Sequence, residues 1–273
     1  MALSVVDLYR DVLPRTNCKE CGFSTCMAFA SMVVSEKHPL KNCPHLDEET
    51  VNRCMVELEQ QYKEGKWLKR DMAADALSWA REKAASTHIK DLPDRIGGQV
   101  VTIDGEPVLE LPYFNDAVLI SATDIRRKDG GELTRWEKVF LYNHVAQGGR
   151  RMPVGKWKGL VELPNTVSKM KSMVEHVELP LIDAFKGNAS GLQEKALGLG
   201  ARDIKDEIES ADVAVLFQPL PRIPVRLIFW DEDKKDNIQA EVKLAFDETI
   251  IEHLDIESIM FLSERIRQLL VND

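Results

Sequence analysis

Five cysteines, at positions 18, 21, 26, 43 and 54, fall within the first 54 residues of a 273-residue chain. Four of them follow the spacing C-x2-C-x4-C-x16-C, and the last of the four precedes Pro44. The thiolate is the metal-binding form of cysteine, and four thiolates are what the four corners of a 4Fe–4S cluster require. Two ligands three residues apart can grip neighbouring irons from one turn of chain. A third, five residues on, reaches another corner, and a fourth returning from a distance closes the cage. Cys18, Cys21, Cys26 and Cys43 are therefore the candidate cluster ligands. Gly22 lets the backbone pass close to sulfide, and the N–H groups of residues 19–25 are placed to donate to cluster sulfurs. Thr16, Asn17, Ser24 and Thr25 add side-chain donors. A 2Fe–2S cluster also takes four cysteines. Zinc is the competing ion, but its structural sites favour paired C-x2-C or C-x2-H knuckles, and one such pair is present here. His38 and His45 could substitute as ligands. Cys54 lies on an apolar helical stripe and reads as a buried, inert thiol.

The elements around these residues can be read from periodicity and capping. Ser4 caps a short helix carrying Val5, Val6, Leu8, Tyr9 and Val12, which Pro14 stops. Residues 26–35 read as a helix with Met27, Ala30, Val33 and Val34 on one face, and Asp47 opens another through Val51, Cys54, Met55, Leu58 and Tyr62. A further helix over 68–85 turns Met72, Ala76, Leu77 and Ala80 inward, and its charged residues, Lys69, Arg70, Asp71, Asp75, Arg81, Glu82 and Lys83, form a solvated face. The character then changes. Val100–Ile103, Asp104-Gly105 and Pro107–Leu111 read as a hairpin with a tight turn, and 117–121, 213–217, 225–230 and 238–246 read as strands. Helices are expected over 134–146, 167–177, 179–186 and 256–270. The fold class is α+β: residues 1–65 form a small helical cluster domain, 66–98 a helical connector, and 99–273 a mixed α+β domain.

Composition narrows the function. Hydrophobic residues make up 44% and charged residues 30%, ordinary values for a chain with a packed core. A net charge of −9 repels phosphate backbones, so nucleic acid is not an expected partner. No run of 18 apolar residues predicts a membrane span. The N-terminal stretch MALSVVDLYRDVLPR lacks the features of an export signal. An odd cysteine count confined to one end is unlike a disulfide framework, so a reducing, cytoplasmic setting is expected.

Within LPRTNCKECGFSTCMAFASMVVSEKHPLKNCPHL (13–46), residues Leu13, Pro14, Thr16, Asn17, Cys18, Cys21, Gly22, Cys26, Phe29, Ala30, Cys43 and Pro44 form a continuous pattern. The stretch resembles the small 4Fe–4S module of the corrinoid iron–sulfur protein large subunit. It is similar also to the cluster domain in the B subunit of the Rnf electron-transport complex. The resemblance covers about an eighth of the chain and implies that all four cysteines ligate one cluster of the low-potential type. GKWKGLVELPN (155–165) and residues 220–259 resemble a family of unknown function found behind such modules in anaerobes, which implies a fold and no mechanism. A Rossmann glycine fingerprint, a phosphate loop and a corrinoid-binding Asp-x-His-x-x-Gly motif are absent from the sequence.

Other residues are read more plainly. Arg150, Arg151, Lys156 and Lys158, with Trp157, form a basic glycine-rich loop that is solvated or grips an anion. The six histidines are scattered and read as surface or capping residues. Trp136, Trp157 and Trp230 read as core, or as walls for a flat cofactor. The expected function is electron transfer, or an accessory redox role in anaerobic metabolism. The expected partner is a redox protein, by resemblance a corrinoid protein or its activator. The alternative is a redox enzyme whose active site or second cofactor lies in the C-terminal domain. A third reading is a binding or maturation factor with a structural cluster.

Overall fold

The computed structural model describes residues 3–65, 72–233 and 236–271. The charged residues Lys69, Arg70 and Asp71, and the side chain of Met72, lie outside that set. The chain divides into two compact units, Met1–Asp71 and Met72–Asp273. Among the described residues, no helix is long and apolar enough to cross a membrane.

The first unit is helical. Ser4 makes a capping box with Asp7 and starts α1 (Val5–Asp7), which runs on as a π-turn over Leu8–Val12. The Thr25 hydroxyl accepts from Ala28 N–H and sets the start of α2 (Cys26–Glu36). Asp47 does the same for α3 (Glu48–Lys63) by accepting from Thr50. Leu8, Leu13, Phe29, Leu40 and Leu58 form its core. Met27, expected on the inner face of α2, is exposed, and Phe29 takes the inner position. The Tyr62 hydroxyl donates to the carbonyls of Val33 and Val34, at 2.7 and 3.1 Å, and ties α3 to the end of α2.

The second unit is α+β. It opens with α4 (Met72–Ala85) and α5 (Leu92–Ile96). Next comes a four-stranded antiparallel meander of β1 (Gln99–Ile103), β2 (Glu106–Tyr113), β3 (Asp116–Ile120) and β4 (Ile125–Arg127). Asp104 and Gly105 both take positive φ, 53° and 84°, the conformation that a two-residue hairpin turn demands. α6 (Arg135–Gln147) follows, capped by Thr134 and Glu137, then the short strand β5 (Trp157–Gly159). Residues 167–185 contain α7 (Met170–Met173), a π-turn over Val174–Glu178 and α8 (Leu179–Phe185). The sequence reading missed α9 (Ala189–Gly198), in which Gly191 and Gly198 dilute the helical signal. It also missed the two-residue β6 (Arg202–Asp203).

The second sheet is antiparallel with strand order β5-β9-β8-β7-β6, where β7 is Val213–Leu220, β8 is Ile223–Trp230 and β9 is Glu241–Asp247. α10 (Ile256–Val271) closes the chain, with Ile259, Leu262, Ile266 and Leu270 buried. One apolar core joins both sheets to α4, α5, α6 and α10. Ala80, Ala84, Leu92 and Ile96 belong to it alongside Val213, Val225 and Phe246.

Candidate metal centre

The loop after α1 turns by repeated left-handed residues. Arg15, Asn17 and Lys19 have φ of 60°, 52° and 67°, and Gly22 has 87°. A left-handed non-glycine residue costs roughly 1–2 kcal/mol. Such strain persists where the surrounding structure demands it, and it gathers at ligand-holding sites. Alternating left-handed residues also curl a backbone so that its N–H groups converge on one side, a shape suited to anionic sulfur.

Side-chain contacts fix this loop on α2. Asn17 Oδ1 accepts from Cys26 N–H at 2.8 Å, and Gly22 N–H donates to the Lys19 carbonyl at 2.9 Å. Cys26 is buried as the first residue of an 11-residue helix. Cys43 is buried at the end of the 3₁₀ turn Leu40–Asn42 and receives a hydrogen bond from the His45 N–H. Cys21 is half-buried and Cys18 is exposed.

Burial pushes the Cys43 thiol pKa up, against the lowering effect of the His45 N–H, and charges on Cys21, Cys26 and Cys18 push it up further. Cys26 and Cys43 are buried in the same small core, Cys21 packs against it, and Cys18 lies on the adjoining left-handed loop. The donor set, all sulfur and contributed by one loop, one helix start and one returning turn, fits an iron–sulfur cluster. Gly22 has nothing within 4 Å of where a Cβ would sit, so space remains on that side of the loop.

The nearby histidines separate. His38 packs its ring against Phe23 and Phe29 and meets Asn42 at 3.0 Å, so it is a packing residue. His45 stands at the exposed edge. Its Nε2 lies 3.2 Å from Glu20, and Cys18, Glu20 and His45 place ligand atoms within 4.8 Å of one another. Sequence spacing had raised His45 as a substitute ligand and gave no sign of Glu20. Cys54 is buried on α3 in the unit's core, and burial raises its thiol pKa.

In the second unit two of the four basic loop residues are paired internally. Arg151 pairs with Glu252 at 2.8 Å and Glu248 at 3.4 Å, and Lys156 lies 3.7 Å from Glu248. Asp247, fully buried, accepts from the N–H groups of Val154 and Gly155 and pins the loop from beneath. The expectation that all histidines are surface or capping residues is corrected. His144 and His253 are both fully buried, with ring centroids 5.8 Å apart. His144 Nδ1 faces the His253 carbonyl at 3.1 Å, and His253 Nε2 faces the Arg151 carbonyl at 2.9 Å. Each of these nitrogens must carry the proton, which leaves His144 Nε2 and His253 Nδ1 as buried lone pairs without a partner among the described residues. Glu137 is likewise buried, accepting from Tyr113 at 2.8 Å. Arg265 Nε stands 2.9 Å from the same oxygen, an ion pair in which the N–H points off the hydrogen-bond line. The capping-box pattern at 134–137 was the one sequence signal for Glu137, and nothing local marks its partners. Two of the three tryptophans are not core: Trp136 is 38% exposed and stacks on Phe261, and Arg226 covers Trp157 at 4.1 Å, whereas Trp230 packs against the small cluster of Ile204, Ala211 and Ala214.

Comparison with known proteins follows this division. Residues 13–45 match the family described as "Putative Fe-S cluster". The acetyl-CoA decarbonylase/synthase complex subunit gamma of Methanopyrus kandleri is 39% identical over 131 residues, 46% of this chain and 22% of that protein. Subunit gamma 2 of the same complex in Methanosarcina mazei is 26% identical over 177 residues, 62% of this chain and 33% of its own length. The match thus spans a third or less of these relatives. No solved structure matches the chain. Residues 88–268, most of the second unit, match the family described as "Domain of unknown function (DUF3786)", and the chain belongs to that family.

Proposed function

We propose that the first unit holds one 4Fe–4S cluster on Cys18, Cys21, Cys26 and Cys43, and that the protein is an electron-transfer or accessory redox protein of anaerobic one-carbon metabolism. The single observation that supports this is the packing of Cys21, Cys26 and Cys43 about one small core, beside the left-handed loop that bears Cys18 and is locked to Cys26 N–H by Asn17. When bound, such a cluster supplies a one-electron store with no iron left open to substrate. The chain's own residues hold the thiolates, donate N–H groups to sulfur, and shield one side with Leu13, Phe29 and Leu40. The similarity to subunits of a complex supports a protein partner, by resemblance a corrinoid protein or its activator, in the cytoplasm.

The test is anaerobic reconstitution with iron, sulfide and zinc analysis and a visible spectrum. About four iron and four sulfide per chain are expected for a four-cornered cluster. Two iron atoms would indicate a 2Fe–2S site, and stoichiometric zinc without iron would overturn the reading.

A further inference from the structure

The second unit contains a cleft of about 620 Å³ between α4, α6, the 3₁₀ turn Ile89–Asp91 and the ends of β2 and β3. That size suits a small organic ligand. The opening exists because small side chains stand where larger ones would close it: Ala84, Ala85, Ser121 and Ala122. The floor is apolar, built from the buried Leu92, Ile120 and Val145 and the buried ring of Tyr142.

The rim carries cations. Arg81 reaches over the Tyr142 ring, 5.6 Å from its centroid, with Nε 3.4 Å from the Tyr142 hydroxyl. Among the described residues it pairs with one carboxylate, Asp124, which is 3.7 Å away and is held more closely by Lys138, at 3.0 Å. The Arg81 guanidinium therefore keeps donors to spare. Lys90 and His88 stand on the same rim, and among the described residues neither side chain is engaged in a hydrogen bond or ion pair. One carboxylate, Asp91, opposes them on the rim. In a chain of net charge −9, a half-enclosed apolar pocket whose mouth carries an excess of positive charge is selective by sign.

We infer that this cleft binds a small apolar carboxylic acid, its flat or branched body against Leu92, Ile120, Val145 and Tyr142 and its carboxylate at Arg81 and Lys90. The body gains by leaving water, and the carboxylate gains a charge-assisted hydrogen bond at the rim while part of it stays hydrated. The hydroxyl of Ser121 is engaged within its own turn by Asp124 and does not compete for the acid.

The experiment titrates the full-length chain with 2-naphthoate and with its neutral analogue 2-naphthamide by calorimetry, with and without iron loaded. One naphthoate per chain is expected, bound about tenfold more tightly than the amide, the factor that one charge-assisted hydrogen bond carries. Lys90→Glu and Arg81→Ala should each weaken naphthoate and leave the amide unchanged. Ala122→Trp, at an exposed position on the mouth, should abolish binding of both, and Ala85→Trp serves if the first variant does not fold. Iron should make no difference, because every lining residue belongs to the second unit; a failed cluster therefore leaves this result standing, and the reverse. Absence of naphthoate binding, equal affinity for acid and amide, or binding that survives both tryptophan substitutions overturns the inference.

Discussion

At the scale of single residues, the cysteines differ by position and not by type. Cys26 anchors both the loop, through Asn17, and α2. Cys26→Ala should abolish the cluster's visible absorption, whereas Cys54→Ala should leave it intact and cost about 1 kcal/mol, the scale of a small core trim. Parallel spectra and urea midpoints of the two variants check this, and loss of the cluster on removing Cys54 would reverse the assignment. The buried histidines give a different prediction. Burial lowers the His144 pKa to about 3 and lowers that of His253 as well. In the unfolded chain both return to about 6.5, so the unfolded state binds more protons in acid. The contribution of each is complete above about pH 6.5 and is lost as pH falls below that, down to about pH 3 for His144, by up to about 1.4 kcal/mol per pH unit for each group. Urea midpoints between pH 8 and 5 should fall, and His144→Asn, which keeps a donor for the His253 carbonyl, should flatten the slope. A pH-independent midpoint in the parent chain would contradict the buried neutral pair.

At the scale of elements, what was legible in the sequence is what is written locally. The cysteine loop, the helix starts at Ser4 and Asp47 and the Asp104-Gly105 turn are short-range signals, and each stands where its residues place it. His144 and His253 meet across 109 residues of chain, and the cleft draws its lining from residues 81 to 145; neither has a local signature. Trp136 and Trp157 departed from the core reading because arginine and phenylalanine stacking gives a large ring a partner at the surface. One element boundary is fixed by close approach. A Cβ on Gly148, just past α6, would meet Ile96 Cγ2 at 2.1 Å and the His144 carbonyl at 2.6 Å. Gly148→Ala should therefore cost about 2 kcal/mol or more through overpacking, while Gly198→Ala, with open space around it, should be neutral or stabilising. Thermal melts of the pair decide this, and equal melting points would count against the packing described at the end of α6.

For the whole molecule, the two units differ in what holds them. The first has a core of few large side chains, the size range in which a bound metal commonly supplies the missing stability. The second has a continuous core that joins both sheets to the helices packed on them, to which Ala80, Ala84, Leu92 and Ile96 contribute from before the first strand. A fragment of residues 72–273 should therefore melt cooperatively without iron, and a fragment of 99–273, which lacks those four side chains, should be less stable. Stripping iron from the full chain should remove the low-temperature transition alone. Circular dichroism melts of the three samples test this, and a single shared transition that vanishes with the iron would show one cooperative body.

The uneven burial of the cysteines also sets an order of chemical attack. Cys18 faces solvent beside Glu20 and His45, Cys21 is half-covered, and Cys26, Cys43 and Cys54 are enclosed. Burial raises the thiol pKa of Cys43 and Cys54, so less of either is in the nucleophilic form at neutral pH. In metal-free protein, a limiting dose of iodoacetamide should therefore mark Cys18 first, Cys21 next, and Cys43 and Cys54 last, as peptide mass spectrometry would register. With metal in place the same exposed edge would be the first that air reaches and the shortest way out for an electron, so the side of the unit most open to a partner is also the side on which oxidative damage would begin.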